Sequence, residues 1–470
     1  MILTVARKEF RGTLRDGRVL AGALVLLLLG AVALVSAALR YQVLAEERAT
    51  AQALISAQWS NQGEKNPHSA AHYGIYAFRP ALPLSFFDPG VLPYEGVSVW
   101  LEAHKQNFAS GRPADDMTSL ARFGELSLSF LMQALLPLGL ILIGYASFSG
   151  ERETGTLRQV LASGVTPGQL FVGKFIGLSA AALLLCAPLV IACIAALVAY
   201  SGIEWLAPAV LLSIAYGLHA GLVLLFALLV SARASSSQGA LLVLLGFWAA
   251  VTFVLPRVAA DIGRISSPTI TANAFARGVE ADLATGLGGD APAARIAKRR
   301  DALLRLYKVD SEQQLPINFQ GVVFSLQDEV SNAVYDKYFG QLHATIDAQA
   351  DIYEAISLLS PRMALSLISQ ELSGTSLEHQ RHFERGAEKF RRGLMETLNR
   401  DITLNSRAGD GTYRAGPELW QRTGSYRYEP EPVLAALRRC GAPLTVLSIW
   451  TVVLIGASAI SMRRLRVMAP

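Results

Sequence analysis

Six long apolar stretches, separated by polar segments, dominate the chain. They cover residues 19–39, 126–148, 170–200, 206–230, 239–255 and 441–462. A bilayer with a hydrocarbon core of roughly 30 Å requires about 20 apolar residues per helix. The pattern therefore predicts six membrane-spanning helices, named spans 1–6 in chain order.

Span 1 also shares features with a secretory signal peptide. Basic residues precede it, and Val35-Ser36-Ala37 resembles a cleavage site. Its apolar run of 21 residues exceeds the usual apolar core of about 7–15 residues, which favours a retained span.

Charged residues are scarce in the middle of the chain. Between residues 126 and 256 only seven side chains carry a charge, although the 470 residues include 42 Lys and Arg and 37 Asp and Glu. Such a region cannot be a water-facing surface, which excludes a disordered chain and a wholly soluble enzyme. The net charge of +5 does not indicate nucleic-acid binding, since the sequence has no basic stripe with interleaved aromatics.

Basic residues beside the spans predict the orientation of the protein. They precede span 1, lie between spans 2 and 3 and between spans 4 and 5, and follow span 6 at Arg463, Arg464 and Arg466. The turn between spans 3 and 4 has none. The positive-inside rule then places both termini, the loop 149–169 and the tail 463–470 in the cytoplasm, and segments 40–122 and 257–439 outside.

The two outer segments differ in their predicted secondary structure. Prolines among aromatic residues between positions 80 and 93 predict an irregular, turn-rich first segment. In the second, apolar residues recur at helical spacing over 326–346 and 376–401, with a break at Leu359-Ser360-Pro361. The expected fold is therefore an all-α polytopic membrane protein with a mainly helical extracytoplasmic domain.

The N-terminal residues 1–18 form a separate element. One helical face carries Arg7, Arg11, Arg15 and Arg18, and another carries Leu3, Ala6, Phe10 and Leu14. This spacing predicts an amphipathic helix at the inner surface of the lipid bilayer. A compatible alternative is that the arginines are ordinary positive-inside flanking charges.

The cytoplasmic loop 149–169 predicts a short helix held between two spans. Leu157, Val160 and Leu161 give this helix an apolar stripe, opposite Arg158 and Gln159. We expect Thr154 or Thr156 to cap its start, Gly164 to end it, and Thr166-Pro167 to begin the next helix. Such a helix is suited to dock into a partner's groove, because a push on it reaches both spans.

The same loop carries a specific pattern. It reads Glu-x-Glu-x-Gly-Thr-Leu-x-x-x-Leu from Glu151 to Leu161, followed by Pro167 and by Gly173-Lys174 at the start of span 3. These 24 contiguous residues resemble the coupling-helix segment of ABC-2-type transporter permeases. The outer positions Leu359-Ser360-Pro361, Ser373-Gly374-Thr375, His379, Phe383 and Arg391 are also similar to a bacterial subgroup with large, uncharacterised extracytoplasmic domains.

The resemblance implies a multi-pass permease subunit of the bacterial inner membrane. It pairs with a second permease, as a homodimer or heterodimer, and with separate cytoplasmic ABC ATPase subunits that bind ATP and Mg, while this chain binds no cofactor. The residues that face the ATPase would be Glu151, Glu153, Thr154, Gly155, Thr156, Leu157, Arg158, Leu161, Pro167 and Lys174, with Arg7, Phe10, Arg11 and Arg15 of the N-terminal helix beside them.

Within this set the resemblance suggests specific contacts. Glu151 and Glu153 would meet basic residues of the ATPase, while Leu157 and Leu161 would fill its groove. Export is the commoner direction of transport in the resembled family.

Two near-motifs do not predict hydrolysis by this chain. Residues 168–174 match GxxxxGK, but Phe175 stands where Mg²⁺ binding requires Ser or Thr. Leu372-Ser373-Gly374 is similar to an ABC signature motif, but Thr375 breaks it and the predicted topology places it outside the cell. ATP hydrolysis is therefore expected in a separate chain, and this chain is not expected to be an enzyme.

Histidines offer candidate chemistry at three places. The pairs His68/His72 and His379/His382 have helical spacing, but neither has an adjacent Cys or an evident third ligand, so metal-free surface histidines are expected. His219 in span 4 lies between Gly217 and Gly221, a small-xxx-small pattern that brings helices close. Its expected role is a hydrogen bond across a helix interface, with a place in the substrate path as the alternative.

Two other functions compete with transport. A membrane-anchored receptor or assembly scaffold would use the segment 257–439 to bind a partner, although the clustered spans with packing glycines exceed what an anchor needs. An intramembrane enzyme would need catalytic groups within the spans, where His219 is the only titratable residue at mid-span. The sequence leaves open the substrate, the direction and whether either histidine pair binds a metal. It also leaves open whether the outer domain receives a periplasmic partner, shields a lipid-like cargo, or hands on a peptide or metal-assembly factor.

Overall fold

The computed structural model describes residues 1–117, 126–289 and 291–465. Helices long and apolar enough to cross a membrane are Gly17–Ser60, Leu128–Glu153, Pro167–Ser201, Leu206–Arg233, Ser237–Ser266 and Gly441–Arg463. The predicted all-α polytopic fold with six spans is confirmed. The boundary placed at Arg122 and the tail from Arg466 onward lie outside the described residues.

The secondary-structure elements alternate between the spans and the polar segments. The helices are α1 (Ile2–Arg15), α2 (Gly17–Ser60), α3 (Pro67–Tyr73), α4 (Leu128–Phe130), α5 (Leu136–Gly144), α6 (Ser149–Glu153), α7 (Thr156–Ala162), α8 (Pro167–Ser201), α9 (Leu206–Arg233), α10 (Ser237–Ala249), α11 (Leu255–Ser266), α12 (Ala272–Thr285), α13 (Pro292–Tyr307), α14 (Phe319–Ser357), α15 (Pro361–Ser373), α16 (Leu377–Asn405), α17 (Pro417–Thr423), α18 (Val433–Arg439) and α19 (Gly441–Arg463). The strands are β1 (Ile75–Phe78), β2 (Ser98–Glu102) and β3 (Lys105–Gln106).

Two spans contain a widened, π-helical turn. Leu131–Leu135 joins α4 to α5 in span 2, and Ala250–Val254 joins α10 to α11 in span 5. A proline follows each widened turn at the second residue of the next helix. Proline lacks a backbone N–H and crowds the carbonyl four residues earlier, so the regular ladder is interrupted there. The Trp248 indole donates a hydrogen bond to the Ala134 carbonyl of the first widened turn at 2.9 Å.

Helix α2 is much longer than the apolar run of span 1. At a rise of 1.5 Å per residue its 44 residues extend about 66 Å, roughly twice the hydrocarbon thickness of a bilayer. Near its end, the Trp59 ring lies 5.7 Å from the Trp420 ring, and its indole donates to Thr423 Oγ1 at 2.9 Å. Helix α2 therefore joins the spans to the domain formed by residues 61–117 and 267–439, named the hydrophilic domain.

The first polar segment is more regular than expected. It contains a three-stranded antiparallel sheet in which β1 pairs with β2 and β2 with β3. Ile75, Ala77, Val99 and Leu101 are buried against α16, while residues between them face outward. The expectation of an irregular segment is therefore wrong at β1, β2 and β3, where this two-residue alternation forms strands. The proline-rich stretch between β1 and β2 forms short 3₁₀ turns.

The predicted helices of the second polar segment are confirmed. Helices α14 and α16 cover the two periodic stretches, and α15 begins after the break at Ser360, whose hydroxyl accepts from the Met363 N–H at 3.2 Å. Helix α15 packs against α9 and α19, because its Leu365 and Ile368 share a buried cluster with Leu447 of α19. The hydrophilic domain is thus seated directly on spans 4 and 6.

Candidate functional site

The loop between spans 2 and 3 folds as a pair of short helices. Gly155 separates α6 from α7 with φ +75°, a left-handed conformation that glycine adopts without strain. The expected threonine cap is absent at this helix start: the Thr154 and Thr156 hydroxyls bond to each other at 2.9 Å. Gly164 follows α7 with φ +90°, and Thr166 caps α8 with Pro167 at its first position, as predicted.

Leu157 faces inward. Its side chain is 0% exposed and belongs to a buried cluster with Val5 of α1, Phe148 and Leu170 of α8. The expectation that Leu157 fills a groove of a partner is therefore wrong, because it fills a groove formed by its own chain. Leu161 is half-buried on the edge of the same cluster.

The outward side of the loop is polar. Five of its exposed residues lie together around the start of α7 and are named the docking face: Thr154, Gly155, Thr156, Arg158 and Gln159. Arg7, Arg11 and Arg15 of α1 are also exposed, and Phe10 is half-buried. Both groups were predicted site residues, and both remain accessible from outside the chain.

Four charged side chains join the loop, α1 and α8 into one cluster, named the ion quartet, in which Lys174 and the two glutamates are largely buried and the Lys8 side chain is 61% exposed. Lys174, whose side chain is 1% exposed, lies 2.9 Å from an oxygen of Glu9 and 2.9 Å from an oxygen of Glu151. Lys8 closes the quartet, at 2.7 Å from Glu151 and 3.1 Å from Glu9. Two cations face two anions, so the charges balance without a partner. Glu151 was expected to meet basic residues of another subunit, and instead it meets those of its own chain.

The electrostatics of the quartet favour its charged form. Burial raises the pKa of Glu9, but the charges and hydrogen bonds of Lys174 and Lys8 outweigh it and lower that pKa below its ordinary value. Burial lowers the pKa of Lys8, and the hydrogen bond to Glu151 and the two carboxylate charges reverse this and raise it. Both groups are therefore held ionised at neutral pH.

Arg152 and Glu153 tie the same loop to the turn between spans 4 and 5. Arg152 donates to the carbonyls of Ala234 at 2.6 Å and Ala232 at 2.7 Å, at the end of α9. Glu153 accepts from the Ser237 N–H and hydroxyl, each at 2.7 Å, at the start of α10. Sequence periodicity could not reveal these contacts, in which Glu153, expected to face an ATPase, caps a neighbouring helix.

Glycines let α1 approach α8 closely. A Cβ added at Gly173 would lie 2.7 Å from Val5 Cβ, and one at Gly177 would lie 2.5 Å from the Ala6 carbonyl oxygen. Both glycines therefore pack closely against the N-terminal helix. Helix α1 thus lies on protein along its Val5 and Ala6 face, while Leu3 of the predicted apolar face is 69% exposed.

His219 occupies a small cavity inside the spans. The cavity of about 40 Å³ is lined by Gln133 and Thr252 of the two widened turns, by His219 and by Arg362. His219 is 5% exposed, and among the described residues neither of its ring nitrogens has a hydrogen-bond partner. The expected hydrogen bond across the interface is therefore wrong. The Thr252 hydroxyl and Arg362 Nε also lack partners within the described part of the chain.

The glycines beside His219 do not bring helices together. A Cβ at Gly217 would meet nothing within 4 Å, and one at Gly221 would reach Phe175 only at an ordinary 3.9 Å. The expected small-xxx-small contact is therefore wrong. Both glycines instead line an apolar cavity of about 500 Å³ between α5, α8 and α9.

The second histidine pair is divided between the core and the surface, because His379 is buried and the His382 side chain is 33% exposed. His379 is 5% exposed, its Nδ1 lies 2.8 Å from the Ser376 hydroxyl, and Glu371 and Glu431 lie 3.7 Å from its ring nitrogens. Burial, with a smaller effect of nearby Arg439, lowers the pKa of His379 to about 3. His379 is thus a buried neutral histidine, and the expectation of a surface residue is wrong.

Comparison with known families finds two matches, one in the membrane region and one in the hydrophilic domain. Residues 113–277 match the ABC-2 family transporter proteins, and residues 273–429 match a domain of unknown function, DUF3526. No curated protein matches the chain. The first match contains spans 2–5 and the loop with α7, and the second covers most of the hydrophilic domain. Over residues 113–277, which form most of its membrane region, the chain is therefore similar to the ABC-2 family transporter proteins.

Proposed function

We propose that this permease is the membrane subunit of an ABC exporter driven by a separate ATPase that binds the docking face. The observation that carries the proposal is the two-sided character of α7. Its outer side is exposed and polar, whereas Leu157 on its inner side is fully buried against α1 and α8. A helix built in this way can receive a partner on one side and pass the displacement inward on the other.

The contacts of the loop suggest how a push would spread. The ion quartet links it to α1 and α8, and Arg152 and Glu153 link it to the turn between α9 and α10. Closure of the ATPase on ATP and Mg would move α7, and these links would carry the movement to spans 2–5 together. The path for the substrate would then open between this subunit and a second permease.

The His219 cavity is the proposed polar point along that path. Unpartnered polar atoms inside a membrane are costly, and they are retained where they meet a substrate or water. The cavity lies between the two widened turns, and such turns occur frequently at functional sites. A rearrangement of spans 2 and 5 would enlarge the His219 cavity before the rest of the path opens.

The proposed setting is the inner membrane of a bacterium, with both termini in the cytoplasm. This orientation places the docking face and the α1 arginines on the side where ATP is available. The hydrophilic domain then lies outside. Export is proposed from the resemblance of the coupling loop.

The proposal is tested by purifying the tagged chain in mild detergent and identifying an ATPase that accompanies it. Arg158→Glu reverses an exposed charge on the docking face, and we expect it to abolish ATPase binding while the thermal stability stays unchanged. Arg299→Glu makes the same change at an exposed position on α13 and is the matched control. Equal ATPase binding by both variants would refute the docking face.

The scaffold alternative makes a different prediction in the same experiment. A scaffold would be purified with partners of its hydrophilic domain and without an ATPase. A scaffold needs no link between the loop 149–169 and spans 2–5. The ion quartet and the Glu153 contact provide such a link. These contacts favour the transporter.

A further inference from the structure

Three histidines of the hydrophilic domain come together at one point. His68 and His72 lie one turn apart on α3, and His104 lies in the turn between β2 and β3. The pairing of β1 with β2 brings this turn beside α3, so one ring nitrogen from each histidine lies within 4.8 Å of the others. The third ligand that the sequence did not reveal is therefore present, and the expectation of metal-free surface histidines is open to revision.

We propose that His68, His72 and His104 bind a divalent cation of the Zn²⁺ or Cu²⁺ class. The inference is independent of the proposed transport mechanism. Imidazole nitrogens bind these ions at about 2.0–2.1 Å, so two nitrogens on a tetrahedral ion are about 3.3 Å apart. The Nε2 atoms of His68 and His72 are 3.1 Å apart, close to that value.

A buried carboxylate orients the third histidine. His104 Nδ1 lies 2.8 Å from Asp328 Oδ1, and the same oxygen accepts from the His104 backbone N–H at 3.2 Å. The Nδ1 contact is short but is not aligned as a hydrogen bond. Asn399 holds the other Asp328 oxygen at 2.6 Å. Carboxylates commonly orient metal-binding histidines from this position.

Two further features restrict the rings. His68 stacks on Phe324 with ring centroids 3.5 Å apart and planes 4° from parallel. His104 has φ +59°, a left-handed conformation that favours glycine, so the turn retains a side chain where glycine would be less strained.

The arrangement leaves room for a fourth ligand. His72 is exposed, and His68 and His104 are half-buried, so water or a ligand from a partner can reach the ion. Ions held by three histidines with an open fourth position exchange ligands readily and can act in chemistry. The site therefore suits capture or transfer of the ion rather than a closed structural role.

The test uses the full chain in detergent after removal of metal by a chelator. We expect Zn²⁺ to bind with one ion per chain in a competition titration against a chromophoric chelator, and a parallel Cu²⁺ titration shows which ion is preferred. Co²⁺ should give the visible absorption of a tetrahedral site. Failure of all three ions to bind at one equivalent would overturn the site.

The informative variant is His104→Gly. It removes a ligand together with the ring contact to Asp328, but it supplies the residue that the left-handed backbone favours, so the fold should be retained. We expect affinity to fall at least about 100-fold, because removal of even an outer-shell partner costs about 10–100-fold. His343→Ala changes a half-buried histidine of α14 outside the site and should bind as the unaltered chain does. Unchanged affinity in His104→Gly would refute the assignment.

Discussion

Lys174 Nζ lies 2.9 Å from Glu9 Oε1, and this contact joins the start of span 3 to the N-terminal helix across 165 positions of the chain. Glu151 reaches the same ammonium from the loop at the end of span 2. Three separate segments therefore meet at one buried cation. Any movement of α7 that displaces Glu151 must either carry α1 and α8 with it or break the ion quartet.

Removal of this cation should destabilise the protein strongly. Lys174→Met leaves Glu9 and Glu151 buried with only Lys8 to compensate them, and breaking a buried ion pair on one side costs about 3–5 kcal/mol. Unfolding in detergent and proteolysis of α1 measure the effect. Lys298→Met, at an exposed position on α13, is the control. A stability equal to that of the control would show that the quartet does not hold α1.

The pH dependence of stability should have a defined sign. The folded-state pKa of Glu9 is lowered, so its contribution is present above its ordinary pKa of 4.5 and is lost as the pH falls toward the folded value. The folded-state pKa of Lys8 is raised, so its contribution is complete below 10.5 and is lost as the pH rises beyond that. We expect Glu9→Gln to be less stable at neutral pH and to lose less stability below pH 4.5. Parallel acid unfolding curves for both proteins would contradict this.

The contact between α1 and α8 should not tolerate a methyl group. Gly177→Ala places a Cβ 2.5 Å from the Ala6 carbonyl oxygen, so α1 must shift or detach. Cysteine cross-linking between α1 and α8 should then fall in yield. Gly246→Ala, in α10, adds a Cβ with nothing within 4 Å and should leave the yield unchanged.

Leu157 is buried and Gln159 is exposed on the same short helix α7, so substitutions at the two positions should differ in their effect on stability. Leu157→Ala removes a fully buried side chain and should cost about 2–5 kcal/mol of unfolding free energy. Gln159→Ala changes an exposed position and should leave stability within about 0.5 kcal/mol. Urea titration of both variants measures the difference, and a small cost at Leu157 would mean that its pocket is not closed.

The unpartnered His219 should be dispensable for folding and needed for transport. His219→Leu replaces a buried group that has no hydrogen-bond partner among the described residues by an apolar one of similar size, and we expect a gain of about 1–3 kcal/mol in stability. Transport should fall, if the cavity lies on the path. Thermal unfolding and flux into vesicles provide the two readouts. A destabilised variant would show that the imidazole has a partner, such as a bound water.

Local pattern was sufficient for much of the fold. The spans follow from the length of the apolar runs, and α14 and α16 follow from apolar periodicity. The start of α8 follows from Thr166-Pro167. The side of α7 that is buried could not be predicted, because a helix with one apolar stripe gives no sign of whether its own chain or a partner covers it. Leu157 is covered by its own chain.

Long-range partners account for most of the remaining differences. Glu151 meets Lys8 from 143 positions away, and no local spacing encodes that distance. The sheet and the third histidine were missed for a related reason, since short strands and the turn at His104 become meaningful only once β1 pairs with β2. At Gly217 the small-xxx-small pattern is present, but among the described residues no neighbouring helix lies within 4 Å of an added Cβ.

The length of α2 gives it the mechanical properties of a lever arm. It is a single helix from Gly17, directly after α1, to Ser60, and its Trp59 is buried in the core of the hydrophilic domain. A tilt of about 10° around its first turn would sweep the far end of a rod about 66 Å long through about 11 Å. Angular changes too small to disturb the packing between spans would thus become displacements as wide as a whole helix.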